Sequence, residues 1–232
     1  MTRDPRHDGD PEAGLSMVEL IVASAVGMLL LSLMASMFVQ ISRTVADAEL
    51  TKTATGVAWN VADEITRVVR QGTRVATSSS TVEGAVVAGS TATSLLIDSN
   101  VDATVVPGQA VIAPTRVAFS VNAAGYLVEK RRPSVLTAGY FAFGAESTRT
   151  INGPVSVAET GTDALFVYWT GSNDAPVQVV PSSGGLTAAQ AIQVNAVTVN
   201  VTVDNELSTG SDPVRLTNKV TMPNVAILTG GN

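Results

Sequence analysis

One carboxylate stands where an acid is expensive. Glu19 immediately precedes twenty consecutive uncharged residues, Leu20 to Val39, and a charged group at the edge of an apolar run is costly unless something neutralises it. Elsewhere the side chains able to carry chemistry are few. The sequence holds one histidine, His7, and no cysteine, which removes the commonest general base, the commonest zinc ligand and the strongest nucleophile from everything after residue 7. None of the three lysines, Lys52, Lys130 and Lys219, has a serine three residues before it, so a Ser-x-x-Lys nucleophile pair is missing. A glycine-rich phosphate loop is missing too. Asp98, Asn100 and Asp102 imitate the opening of a calcium loop, but Ala103 replaces its glycine and Gln109 its bidentate glutamate, so these residues read as a turn between strands. Glu129-Lys130-Arg131-Arg132 is the densest basic cluster. Lys130, Arg131 and Arg132 could contact nucleic-acid phosphates or a surface, although a solvated hairpin edge guarded by charge is the simpler reading. No enzyme, metal or cofactor is expected from this inventory.

The elements that must position Glu19 are legible from hydropathy. Residues 1–14 are polar and contain Pro5 and Pro11, the character of a short tail. A helix over Leu20–Val39 would be about 30 Å long at 1.5 Å per residue, the thickness of a bilayer core. Beyond it Ile41, Val45, Ala48, Ala54, Val57, Ala58, Val61, Ile65, Val68 and Val69 recur at three- and four-residue steps, predicting an amphipathic continuation. Gly72 is its expected stop, with Arg67 and Arg70 near the C-terminal dipole. The whole chain of 232 residues is 45% hydrophobic, 15% charged and carries a net charge of −6, so no global field draws it to polyanions.

Gly14-Leu15-Ser16-Met17-Val18-Glu19, ahead of the apolar run, resembles the processing motif of type IV prepilins. The resemblance implies cleavage by a prepilin peptidase between Gly14 and Leu15, methylation of the new N-terminus at Leu15, and a filament-assembly role for Glu19. There the free α-amino group of a neighbouring subunit would offset the buried carboxylate and favour docking in register. It also implies partners: other pilin subunits through the N-terminal helix, the peptidase, and an inner-membrane assembly platform. The leader mixes Arg3 and Arg6 with Asp4, Asp8, Asp10 and Glu12, so orientation is weakly encoded, and the apolar run has no proline at its middle. Two other readings stay open. Glu19 could mark the interface of an uncleaved signal-anchor, or Ala46-Asp47-Ala48 could be a signal peptidase site that releases a secreted β-rich protein.

After Gly72 the composition turns to Val, Thr, Ala, Ser and Gly with strand periodicity. Strands are expected at 74–78, 82–88, 93–98, 104–112, 115–122, 125–132, 136–143, 163–170, 176–180, 191–204 and 213–222. A hairpin should turn at Asn122-Ala123-Ala124-Gly125, and 144–162 and 171–190 read as exposed loops. Domains follow: leader 1–14, long helix 15–72 with a membrane segment at 20–39, and a β-rich head 73–232. The fold class is α+β, a long N-terminal helix packed on a mainly antiparallel sheet, pilin-like. The order of motifs is similar to that of PilW-type minor pilins and J-type pseudopilins. Those motifs are Trp59 to Arg67, the hairpin of Val117–Asn122 and Tyr126–Arg131, the aromatic strand Asp163–Trp169, the alternating strand 191–204 and the last strand. The resemblance implies a single-pass membrane protein with an external head that initiates or tips a filament, or a binding module on that filament for adhesion or DNA capture.

Overall fold

In the computed structural model, residues 16–105, 112–158, 161–172, 174–204 and 212–225 are described. The chain divides into two units, Met1–Ala48 and Glu49–Asn232. One helix, α1, runs over Met17–Arg70, and Arg67 and Arg70 occupy its last turn. It ends where the sequence predicts, since Gly72 leaves the helix for an isolated bridge to Ser99. Inside the first unit the helix exposes every large apolar side chain, Ile41 and Val45 included. The expected sheet-facing stripe therefore starts later. Its first buried member is Ala54, followed by Ala58, Val61, Ala62, Ile65, Val68 and Val69.

Eleven strands and a short helix follow among the described residues. They are β1 (Val75–Ala76), β2 (Val82–Glu83), β3 (Ser94–Val105), β4 (Ile112–Val121), β5 (Leu127–Thr137), β6 (Tyr140–Phe143), β7 (Ser147–Thr150), β8 (Phe166–Ser172), β9 (Ala175–Val179), α2 (Ala188–Ala191), β10 (Ala196–Val203) and β11 (Val214–Thr221). All strand pairings are antiparallel. One sheet has the order β3-β4-β5-β6, with β7 also on β5, and another has the order β11-β10-β8-β9; β1 and β2 form a two-stranded clip. The architecture is α+β, a long N-terminal helix on antiparallel sheets.

The two larger sheets meet the second half of α1 in one core. Val61, Ile65 and Val68 pack among Leu95, Ile97, Val117, Phe119 and Leu127 from the first sheet and Phe166, Tyr168, Val197, Val199 and Val201 from the second. Period-two alternation explains which residues face inward. Tyr168 is fully buried, and its hydroxyl donates to the Thr91 and Ser94 carbonyls at 2.7 and 3.1 Å. That burial holds its phenol above the usual tyrosine range.

Several expected strands are corrected. The segment 191–204 is not one strand: Thr187 caps α2 through a reciprocal bond pair with Gln190, and pairing begins only at Ala196. The segment 136–143 is split by a two-residue hairpin turn, Ala138 and Gly139 at φ 51° and 86°. The expected strand 93–98 and the start of 104–112 fall in one strand, β3, whose register shifts between Ser99 and Thr104; Ile112 opens β4, and 106–111 lie outside the described residues. The expected loops 144–162 and 171–190 contain β7 and β9.

Candidate functional site

Glu19 lies in the first turn of α1 and closes a reciprocal cap. The Ser16 backbone N–H donates to Glu19 Oε2 at 2.9 Å, and the Glu19 N–H donates to Ser16 Oγ at 3.2 Å. Ser-x-x-Glu at a helix start satisfies two of the donors that the first turn leaves without partners. Sequence reading missed Ser16, although the spacing Ser16-Met17-Val18-Glu19 carried the signal. Gly14 and Leu15, the expected cleavage and methylation positions, lie outside the described residues, as does the leader 1–14.

From Leu20 to Val39 the helix has no polar face, and among the described residues its large apolar side chains are not buried. The large apolar side chains from Met17 to Val39 are 48–81% exposed. The hydroxyls in this run are satisfied locally: Ser24, Ser32 and Ser36 each donate to the carbonyl three residues back at 2.8–2.9 Å. That is the arrangement an apolar surrounding requires of a polar group. The helix is long and apolar enough to cross a membrane.

The second half of α1 is tied to the head by charge as well as by packing. Glu64 receives Arg67 at 2.7 Å, Arg131 at 3.0 Å, and Arg149. Arg131 also reaches Glu129 at 2.8 Å and pairs with Asp102, and Arg149 pairs with Glu129. Three carboxylates and three guanidiniums thus join the helix, β3, β5 and β7. Burial pushes the Glu64 carboxyl up, but its three arginines outweigh that and hold it below the usual glutamate range. Glu129 has no exposed side-chain surface, and burial raises it despite Arg149.

This network corrects the reading of 129–132 as a solvated hairpin edge. β5 is an interior strand, with β4 on one side and β7 and β6 on the other. Lys130 sits 2.9 Å from Glu146, and Arg132 Nε donates to the Gly144 carbonyl at 3.2 Å. Each of the three cations offered for phosphate or surface contact is engaged within the chain.

Asp98, Asn100 and Asp102 do not form the expected turn between strands; they lie within β3, around its register shift. Asp98 is fully buried and takes both Arg116 Nε and Nη2, at 2.7 and 2.8 Å. Arg116 also pairs with Glu83 of the β1–β2 clip and lies 3.9 Å from the Phe143 ring centroid. Burial dominates at Asp98 and raises its carboxyl to about 6, although Arg116 works in the opposite direction. Asp102 adopts φ 55° at the irregularity of β3 and faces Arg131. Among the described residues no three His, Cys, Asp or Glu side chains converge as a metal set. No protein-family model and no curated protein sequence matches this chain.

Proposed function

We propose that the chain is a subunit of a type IV filament system, a minor pilin or pseudopilin that starts or tips the filament after prepilin peptidase processing. The observation that carries this reading is the placement of Glu19. A carboxylate stands in the first turn of a 54-residue helix, five residues after Gly14 and directly before twenty uncharged positions. The Ser16 cap gives an acid in that turn a local use in any helix, so what points to processing and assembly is its spacing from Gly14 ahead of the apolar run. Supporting it, the apolar half of α1 is exposed among the described residues, while the half from Ala54 onward is packed into a β-rich head.

The mechanism follows from two environments for one helix. In the membrane, lipid covers 20–39 and the head stays outside. In the filament, other subunits' helices replace lipid, and Glu19 exchanges the Ser16 cap for the free α-amino group of a neighbouring Leu15. Charge neutralised in a low-dielectric bundle fixes register more than it adds stability. The committed charges on β5 give no support to DNA capture through Lys130, Arg131 and Arg132.

Mass spectrometry of the membrane-purified protein, expressed with and without its prepilin peptidase, tests the reading. A chain starting at Leu15, and only when the peptidase is present, is the expected result. An intact Met1, or a start at Glu49, overturns it.

A further inference from the structure

Four segments of the head unit enclose a cavity of about 450 Å³, within the roughly 300–1,000 Å³ of small-ligand sites. Arg74, between α1 and β1, lines it together with Thr170 of β8, with Ile192, Gln193 and Asn195 from the link between α2 and β10, and with Val225 beyond β11. No acidic side chain is in that lining. Arg74 differs from the other partly buried arginines of the head. Arg116 meets Asp98 and Glu83, and Arg131 meets Glu64, Glu129 and Asp102. The Arg74 side chain makes one hydrogen bond among the described residues, from Nη2 to the Ile192 carbonyl at 3.0 Å. Its Nε is buried and donates to nothing, the one side-chain atom so placed among the described residues. A guanidinium carries several N–H donors and cannot shed its charge, and a buried donor without an acceptor is costly enough to point to a missing water or ion.

The lining says which anion fits. With one guanidinium and no second basic side chain, the cavity suits a single negative charge rather than a dianion. The end of the guanidinium offers parallel N–H groups on Nη1 and Nη2, the planar fork that a carboxylate matches. Asn195 commits its amide nitrogen to the Gly171 carbonyl, which leaves Oδ1 as an acceptor for an amide N–H beside that carboxylate. Gln193 stands exposed at the rim. Ile192 and Val225 supply apolar wall for a hydrocarbon side chain.

We propose that the Arg74 cavity binds the C-terminal carboxylate of a peptide that ends in an apolar residue. Arg74 holds the carboxylate end-on, Asn195 takes the last amide N–H, and Ile192 and Val225 pack against the last side chain. The ligand brings the negative charge that the described chain does not offer Arg74. The site lies wholly in the head unit, so it stands or falls apart from the filament reading.

Calorimetric titration of the full chain in non-ionic detergent with N-acetyl-alanyl-leucine tests it, with the C-terminal amide of the same peptide, 4-methylpentanoate and inorganic phosphate as comparisons. Saturable binding of the free acid is expected, at least tenfold tighter than the amide and several-fold tighter than the other two. Arg74→Met should weaken it at least tenfold and leave the urea midpoint nearly unchanged, because the one side-chain bond lost is that to Ile192. Gln193→Glu, which adds an acid at an exposed position, should weaken it several-fold without moving the midpoint. Absence of saturable binding, or equal binding of acid and amide, overturns the site. Phosphate bound more tightly than the peptide, or 4-methylpentanoate bound as tightly, overturns the choice of ligand. Unchanged affinity in Arg74→Met with a sharp fall in its midpoint makes Arg74 a strut for Ile192 and also overturns the proposal. Ending the chain at Val225 should leave the affinity as it was; a rise would mean that the residues after Val225 compete for the cavity, and would overturn an external ligand.

Discussion

A buried carboxylate with both oxygens on one guanidinium is held by geometry and penalised by burial at once, and Asp98 shows both. Its pair with Arg116 ties β3 to β4, and Arg116 carries the tie on to Glu83 and Phe143. Removing one partner of a buried ion pair leaves the other charge uncompensated, which costs about 3–5 kcal/mol. Arg116→Ala should accordingly lower the denaturant midpoint sharply. Arg149→Ala should lower it far less, because Arg149 is half-exposed and Glu64 and Glu129 keep Arg131. Asp98 also predicts a pH effect whose sign follows from its raised carboxyl. The folded chain holds this proton up to about pH 6, whereas an unfolded aspartate releases it near 3.9. Stability from this residue is therefore greatest below about pH 4, falls as pH rises towards 6, and is constant above that. Thermal midpoints of the wild type and Asp98→Asn from pH 4 to 7 check it: the wild type should lose ground to the variant up to about pH 6 and then run parallel.

At the scale of elements, the clearest signals were those set by long periodicity. The end of α1 at Gly72 and the turn at Asn122–Gly125 followed from local chemistry. Gly125 adopts φ 80°, and Asn122 Oδ1 accepts from the Ala124 and Tyr126 N–H groups. What was illegible depended on partners distant in sequence. Val-Glu-Lys-Arg-Arg reads as an edge because it is charged, yet Glu64 and Arg149, from α1 and β7, make an interior position for it. The stripe Ile41-Val45-Ala48 has the same period as Val61-Ile65-Val68, and only the three-dimensional fold separates the part that meets a sheet. Ser-Thr-Arg-Thr carries no apolar alternation, so β7 had no signal of its own. The Ala138-Gly139 turn hid for a different reason, since alanine seldom takes φ of 51°. An L-residue with a β-carbon pays roughly 1–2 kcal/mol there, less for asparagine, and Asn-Gly is the preferred pair for such a hairpin. Ala138→Asn should raise the midpoint of urea unfolding by an amount equivalent to about 0.5–1 kcal/mol.

Considered as a whole molecule, the chain joins an apolar helical run long enough to cross a membrane to a folded β-rich unit. Among the described residues the core begins at Ala54 and its members belong to the unit Glu49–Asn232; the large apolar residues from Met17 to Val39 are not among them. They must instead be covered from outside, because a continuous run of side chains 48–81% exposed far exceeds the apolar patch a soluble monomer carries. Truncation separates the two demands. A fragment beginning at Glu49 should be soluble without detergent and unfold in a single transition at the same urea midpoint as the full chain in detergent. The full chain should stay with the membrane through alkaline extraction. Arginine in place of Leu29 and Leu30, at the centre of the run, should release it, each charge costing about 2.5–3.5 kcal/mol at mid-bilayer. A Glu49 fragment that fails to fold would mean that residues before 49 help hold the head, and the division of labour between the halves of α1 would then have to be redrawn.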